Sequence, residues 1–253
     1  LGHSLATWNE LLERIKINTD DAREKMRFYT NMYRALCSRN TWSDVNGEWV
    51  DASEKVQKLA DTSARALGCD AFWNTFWNLN QVMNLIAPEW SARWVNSELA
   101  LYDHCGWLSK GPAGLEYISV MVAEHEIPLL VAAQQAGVKG LDANKILEAS
   151  VKMQTTLPQK YPGGGWVGNE NLENYLKHGY VAEDGDVVGQ GTKAEWQRPW
   201  TSNTYEYSYD DWCVGQLAKA LGRDELAAQF EKRSQSWRNV FDPSTGFMRG
   251  KTA

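Results

Sequence analysis

The sequence predicts an all-α protein made of antiparallel helical hairpins. Apolar residues recur at spacings of three and four through most of the 253 residues, strand-type alternation is almost absent, and short glycine and aspartate joints separate successive runs. About ten helical segments are read in this way, and the shortness of their joints makes neighbours antiparallel.

Two amphipathic helices open the chain. Leu5, Trp8, Leu11, Leu12 and Ile15 form the first apolar stripe, and Met26, Tyr29, Thr30, Tyr33, Leu36 and Cys37 repeat the pattern one helix later. Asp70 is placed to cap a run through Phe72, Phe76, Leu79 and Met83; Pro88 then sits where a first-turn proline begins a helix that ends near Tyr102. From Leu115 to Ala136 a more buried helix is expected, broken by Pro128 or starting afresh there, and closed by Gly137. Gly140-Leu141-Asp142 stops one element and caps the next. The same grammar returns in Leu221-Gly222-Arg223-Asp224, with Asp224 expected to cap the run Leu226, Phe230, Trp237. Between these joints, Leu157 to Trp200 reads as one long irregular stretch containing Pro162-Gly163-Gly164-Gly165-Trp166 and Glu183-Asp184-Gly185-Asp186, with the aromatic and acidic content of a site wall. Successive hairpins fit a toroid of paired helices or a solenoid, and the lack of a repeat at fixed spacing weakens the solenoid.

Composition narrows the partners. With 43% hydrophobic and 23% charged residues the chain has the profile of a soluble protein with one large core. Its 32 acidic and 26 basic residues are dispersed, so no basic face exists for nucleic acid. No apolar run approaches the roughly 20 residues of a membrane span, and Leu1-Gly2-His3-Ser4-Leu5 lacks the pattern of a signal peptide. Cys37, Cys69, Cys105 and Cys213 lie far apart, outside any zinc spacing, and are expected to be small buried apolar residues. Most of the thirteen tryptophans can fill a helical core, while Trp42, Trp107, Trp166 and Trp200 stand in loops where an indole can stack on a sugar ring.

Several polar residues invite a role. Asp210 and Asp211 are about 100° apart on a helix and cannot face one pocket together as acid and base. They satisfy helix-end amides and pair with basic groups, or Glu206 and Asp210, four residues apart, line a site from one helical face. His125, between Glu124 and Glu126, is either a satisfied core histidine or a substrate contact; on a continuous helix the three would not converge. The acidic run at 183–186 lacks EF-hand spacing and reads as a solvated loop.

The most specific signal is Thr204-Tyr205-Glu206-Tyr207-Ser208-Tyr209-Asp210-Asp211-Trp212-Cys213, continued by Gln216-Leu217-Ala218-Lys219-Ala220-Leu221-Gly222. It resembles the T-L-E-Y-A-Y-D-D-W-C…A-K-A-L-G signature of glycoside hydrolase family 92. Further matches follow in the family's order: Phe28-Tyr29-Thr30, Ser43-Asp44-Val45-Asn46-Gly47, Gly140-Leu141-Asp142-Ala143, His178-Gly179-Tyr180-Val181, and Phe241-Asp242-Pro243-Ser244-Thr245-Gly246-Phe247-Met248-Arg249.

The resemblance implies a calcium-dependent, exo-acting α-mannosidase of the α-1,2-mannosidase type that acts on glycans by inverting hydrolysis. It implies a secreted, periplasmic or cell-surface location and an (α/α)6 toroid behind a β-sandwich domain. Residues 1–253 then form part of the toroid, with the sandwich and a C-terminal catalytic segment supplied by the rest of the same protein. The family's general acid lies in T-E-G-N-A-W-Q and its acidic base pair in a later G-N-E-D. Neither motif occurs here, so no catalytic acid or base is assigned within the chain; both are expected after Ala253, and most calcium ligands are expected outside the chain as well. The implied sugar contacts are Trp73, Asn74, Trp77, Glu116, His125 and Trp166, with Glu206 and Asp210 as site wall. The chain departs from the family where Trp73-Asn74-Thr75-Phe76-Trp77 replaces W-D-T-Y-R, and where Ala123-Glu124-His125-Glu126-Ile127-Pro128 replaces G-D-H or G-Y-H before proline. A charged pair able to grip hydroxyls is thereby lost. That departure leaves a non-catalytic or respecialised carbohydrate-binding homologue as an alternative, with a helical interaction scaffold as a third reading.

Overall fold

The computed structural model describes residues 2–37, 40–61, 64–68, 71–110, 122–160, 166–185 and 200–253. Among them are ten α-helices and four antiparallel pairs of short strands, and no described sheet exceeds two strands.

The two opening helices form as expected, α1 over Gly2–Leu12 and α2 over Ala22–Cys37. They meet through the Trp8 and Tyr33 rings, 4.6 Å between centroids, and Tyr29 donates to the Ile15 carbonyl at 3.0 Å. Their apolar stripes reach no core: α1 buries no residue and α2 buries Met32 alone. Cys37 is exposed, Cys105 intermediate and Cys213 buried, all as free thiols, so the expectation of burial fails at Cys37; Cys69 lies outside the described residues.

Residues 40–68 carry structure that periodicity did not reveal. β1 (Asn40–Thr41) pairs with β4 (Leu67–Gly68), and β2 (Glu48–Val50) with β3 (Val56–Lys58). Strands of two and three residues are too short to alternate visibly. The hairpin is pinned by Asp51, whose carboxylate accepts from Ser53, the Lys55 amide and Gln57. Burial pushes that carboxyl up, and these hydrogen bonds outweigh it, leaving Asp51 below the ordinary carboxylate range.

The run from Phe72 is two helices, α3 (Phe72–Thr75) and α4 (Leu79–Ile86), parted by a turn at 76–78; the expected cap Asp70 lies outside the described residues. α5 spans Pro88–Cys105, starting on its proline as read and passing Tyr102 by three residues before Gly106 ends it at φ +78°. α6 spans Glu126–Gln135. Pro128 stands in its first turn, where the missing N–H is no loss, so this helix starts afresh rather than breaking. Gly137 closes it at φ +76°, and Asp142 caps α7 (Ala143–Thr155) by accepting the Lys145 amide at 3.0 Å.

The long irregular stretch holds a strand pair, β5 (Gln159–Lys160) with β6 (Trp166–Val167), and an unanticipated helix, α8 (Leu172–His178). Two turns of helix offer too few apolar residues for a periodic signal. α9 (Thr201–Ala220) is the central element, buried on most of its circumference, and α10 (Asp224–Arg233) returns along it. Gly215 permits that approach: a Cβ there would stand 3.3 Å from the Glu231 amide nitrogen. Asp224 is the first residue of α10 and caps nothing, because the Arg223 carbonyl already accepts the Ala227 amide. Its carboxylate still opposes the positive end of the helix dipole. Trp237 falls in a 3-10 segment, Ser234–Val240, followed by the hairpin β7 (Phe241–Asp242) and β8 (Phe247–Met248). The main core gathers Trp94, Leu130, Ile146, Met153, Leu217 and Phe230 from α5, α6, α7, α9 and α10.

Candidate functional site

Of the predicted site residues, His125, Glu206 and Asp210 meet at the turn that precedes α6, and Trp73, Asn74 and Trp77 lie on the stretch whose Phe76 ring approaches it. Helix begins only at Glu126, so residues 122–125 form a bend and a turn, and consecutive side chains leave it in different directions. His125 turns to one side. Its Nε2 lies 2.8 Å from Glu206 Oε2 on α9, and its ring lies 4.3 Å from the Phe76 ring, which also approaches Tyr209 and Trp77 at 5.7 and 6.3 Å. His125 is buried and Glu206 about a third exposed, so the carboxylate is the half of the pair that solvent reaches. Trp77, 72% exposed, and the exposed Asn74 stand on the same short stretch as Phe76; Trp73 is half-buried.

Asp210 is one turn along α9 from Glu206 and serves the same turn from inside. Its fully buried Oδ2 accepts the Glu124 amide at 3.0 Å and the Gln154 side chain at 3.3 Å. The shared helical face is therefore real, but Asp210 holds backbone while Glu206 holds His125. Burial pushes the Asp210 carboxyl well above its usual range. Asp211 points elsewhere, accepting from Arg233 Nε at 2.7 Å and the Tyr175 hydroxyl at 2.9 Å, the pairing with a basic group that adjacent helical aspartates predict.

Glu124 and Glu126 are both fully buried, and burial first, then the Glu124 charge, pushes the Glu126 carboxyl well above its usual range. The three side chains at 124–126 do not point together: His125 reaches Glu206 while Glu124 reaches Lys110. Lys110 Nζ lies 3.3 Å from Glu124 Oε1, 3.4 Å from Asn169 Oδ1 and 3.5 Å from the Gly168 carbonyl. Glu170 nearby is pushed up to about 7 by burial, against the opposing pull of Lys110.

Trp166 pairs with Lys160 in its strand and takes no part in the ring group around His125; Glu116 lies outside the described residues. Trp107 is buried beneath Lys152, a core residue rather than a loop platform, and Gly168 at φ +90° lets the chain pass it: a Cβ there would meet the indole at 3.0 Å. Glu183 and Asp184 are exposed, as a solvated loop should be, and Asp186 is outside the described residues. That loop is not idle, however. Ala253, the residue after which the family's acid and base are expected, is exposed and donates its amide to Asp184 Oδ1 at 2.8 Å, and the Glu183 amide donates to the Lys251 carbonyl at 3.0 Å. The acidic loop thus fixes residues 251–253, a tertiary role that its composition did not announce. Sequence reasoning also missed Phe76 and Tyr209, whose roles depend on tertiary contact, and the open grooves of about 370 and 400 Å³ on either side of the stacked Tyr209 and Trp212 rings.

By fold, the chain falls among helical portions of glycosidases. A family GH92 inverting mannosidase of Bacteroides thetaiotaomicron VPI-5482 superposes with a TM-score of 0.84 at 25% identity, over 99% of this chain and 32% of that one. A GH92 α-mannosidase of Bacteroides thetaiotaomicron in complex with mannoimidazole gives 0.83 at 26% identity, over 100% of this chain and 30% of that one. An uncharacterized secreted glycosidase of Arthroderma benhamiae is 28% identical over 226 residues, 83% of this chain and 27% of the relative. The profile of the glycosyl hydrolase family 92 catalytic domain matches residues 3–253, and the chain belongs to that family. It spans about a quarter to a third of the length of these relatives.

Proposed function

We propose that residues 1–253 form part of the (α/α)6 catalytic domain of a glycosidase that removes terminal α-mannosides or related glycosides from glycans by calcium-assisted inverting hydrolysis. The observation that carries this reading is the match of the family's catalytic domain along residues 3–253, supported by relatives named as mannosidases and by the succession of helical hairpins. Inversion requires an acid and a base about 6.5–9.5 Å apart with a water between them. Both groups are proposed to come from the part of the protein that follows Ala253, and the β-sandwich that frames the toroid from the part that precedes this chain. Among the described residues no three His, Cys, Asp or Glu side chains form a group that could hold a metal ion; the proposed calcium is expected, from the family resemblance, to take most of its ligands from outside this chain.

This chain's contribution is to hold sugar. Trp77 offers an exposed indole face for stacking, Asn74 offers one acceptor and two donors, and Trp73, Glu116, His125 and Trp166 complete the proposed contacts, with Glu206 and Asp210 behind them. The Arthroderma benhamiae relative is named a secreted glycosidase, which supports a secreted, periplasmic or cell-surface location, and no described helix is long and apolar enough to cross a membrane. The respecialised carbohydrate-binding reading rests on Asn74 and Trp77 standing where the family has an aspartate and an arginine. To decide, the full-length protein is assayed with calcium on aryl α-glycosides and mannobiosides, following the product anomer by NMR. Release of β-mannose from an α-mannoside is expected; glycan binding without turnover of any glycoside would transfer the case to the alternative.

A further inference from the structure

The larger of the two open grooves, about 400 Å³, lies between α4, α6 and α9 and falls within the size range of small-molecule sites. α6 contributes Pro128, Val131 and Ala132, with Gln135 exposed at its far end. α9 contributes Tyr209 and Trp212, whose rings stack at 6.1 Å with 13° between their planes, Trp212 being 44% exposed. Across from them stand Gln81, Asn84 and the 81% exposed Leu85 of α4. The groove adjoins the proposed sugar contacts. The Phe76 ring lies 4.3 Å from the His125 ring and 5.7 Å from the Tyr209 ring, and the Phe76 carbonyl accepts from Gln81 Nε2 at 3.0 Å. On α9, Glu206, Tyr209 and Cys213 follow at i, i+3 and i+7 on one helical face, with Cys213 also lining the groove. Seven residues of helix rise about 10 Å, more than one pyranose ring spans. A glycan held at Glu206 by one ring therefore meets the groove with its next.

The lining selects by chemistry. No charged side chain lines the groove among the described residues, so a phosphate, sulfate or carboxylate on the ligand would find no counter-ion. Its polar groups are the carboxamides of Gln81, Asn84 and Gln135, and Asn84 Oδ1 accepts from no described residue. A carboxamide carries one acceptor and two donors, which suits hydroxyls that both donate and accept. The Tyr209 and Trp212 ring faces suit the C–H face of a pyranose. A purely apolar occupant would leave the amides unmet.

We propose that this groove binds the second sugar of the glycan, the neutral hexose to which the terminal glycoside is attached, with Trp212 as its stacking platform and Gln135 bonding its hydroxyls. The identity of the first sugar rests on the glycosidase reading above. The groove adds a preference for glycans of two or more sugars over single glycosides, set by residues outside the contacts that the family resemblance implies.

The test uses the full-length protein with calcium and compares, by calorimetry, a sulfur-linked α-mannobioside, which resists hydrolysis, with methyl α-mannoside. Wild type is expected to bind the bioside more tightly by about tenfold or more. Trp212→Ala should cut that preference by about tenfold, while Trp212→Tyr, which keeps a ring face, should retain most of it. Gln135→Ala replaces an exposed helical residue with a better helix former, so folding is safe, and should cut the preference by about threefold. A second measurement follows alkylation of the thiol introduced by Leu85→Cys, read by mass spectrometry of its peptide. That thiol should react freely in the ligand-free protein and be protected by the bioside but not by methyl α-mannoside. A thiol already blocked without ligand would mean that another part of the protein or a second copy fills the groove, and would overturn the proposal. So would equal binding of the two ligands by wild type, binding of neither, or a preference that survives both Trp212→Ala and Gln135→Ala. Turnover of the oxygen-linked bioside tests the glycosidase reading separately: a protein that shows the protection yet hydrolyses nothing loses the reaction and keeps the groove.

Discussion

The two sides of the turn at 122–126 treat charge in opposite ways. On the open side, a buried imidazole holds a carboxylate that solvent reaches, bordered by the Phe76, Trp77 and Tyr209 rings. On the closed side, a fully buried Glu124 carboxylate meets the buried Lys110 ammonium at 3.3 Å. Water can stabilise an ion on the open side when its partner is lost; on the closed side burial keeps water away. The closed side therefore bears on stability and the open side is free to serve a ligand.

The largest test of that contrast is Lys110→Met, which removes the ammonium and leaves Glu124 uncompensated. A loss of roughly 3–5 kcal/mol in denaturant unfolding at neutral pH is expected, shrinking in acid as the carboxyls take up protons. A loss below about 1 kcal/mol would mean that water enters this side and would erase the distinction.

Next in size is Asp210→Ala. The Glu124 amide and the Gln154 side chain each lose an acceptor, and about 1–3 kcal/mol of stability should go with them. Because the same bond fixes the turn, hydrogen exchange at the Glu124 amide should quicken more than exchange in the far half of α7. Equal acceleration in both would show a global loss with no special role for the turn.

Glu206→Gln probes the open side. An amide oxygen still accepts from His125, and the pair is partly solvated, so stability should change by less than about 1 kcal/mol. Affinity for a bound α-mannoside, measured by calorimetry, should fall about tenfold or more as a charged acceptor is lost. Unchanged affinity with lost stability would reverse the roles given to the two sides.

How much of this was legible depends on where the physics is local. Helical periodicity is local, so α1, α2 and α10 were visible, while local cap and stop residues marked the starts of α5 at Pro88 and α7 at Asp142 and the ends of α6 at Gly137 and α9 at Gly222. The pairs at 40–68 and the helix at 172–178 were not, being shorter than any period. At the site, the four-residue spacing correctly put Glu206 and Asp210 on one face. What each meets was hidden, because Phe76 and the 122–125 turn reach α9 only through the tertiary fold. The tie between Asp184 and Ala253 was hidden in the same way, joining residues 69 positions apart. The separate destinations of His125 and Glu124 were hidden for a plainer reason: the helix was assumed one turn too early.

The smallest stability effect and the sharpest functional one are expected at Asn74 and Trp77. Both side chains are exposed, so exchanging them for the aspartate and arginine of the family pattern should change stability by no more than about 0.5 kcal/mol. Recognition is another matter. An aspartate accepts two charge-assisted hydrogen bonds from sugar hydroxyls, whereas Asn74 offers one acceptor and two donors; an arginine presents a fork of five donors, whereas Trp77 presents a ring face and a single N–H. Each charged contact is worth about 1.5–3 kcal/mol, so the double variant Asn74→Asp, Trp77→Arg should raise the preference for α-mannosides over other α-glycosides by about two powers of ten. The ratio of kcat/KM values across a panel of aryl α-glycosides, taken with calcium on the full-length protein, measures this directly. Trp77→Ala alone separates the two substitutions: it removes the stacking face without adding charge, and should weaken binding of the preferred sugar while leaving the ranking of hydroxyl patterns as it was. A wild type that already turns over α-mannosides as well as the double variant does, with the same ranking, would mean that these exposed positions lie outside the sugar's reach and that the open side of the turn recognises its ligand through Glu206 without them.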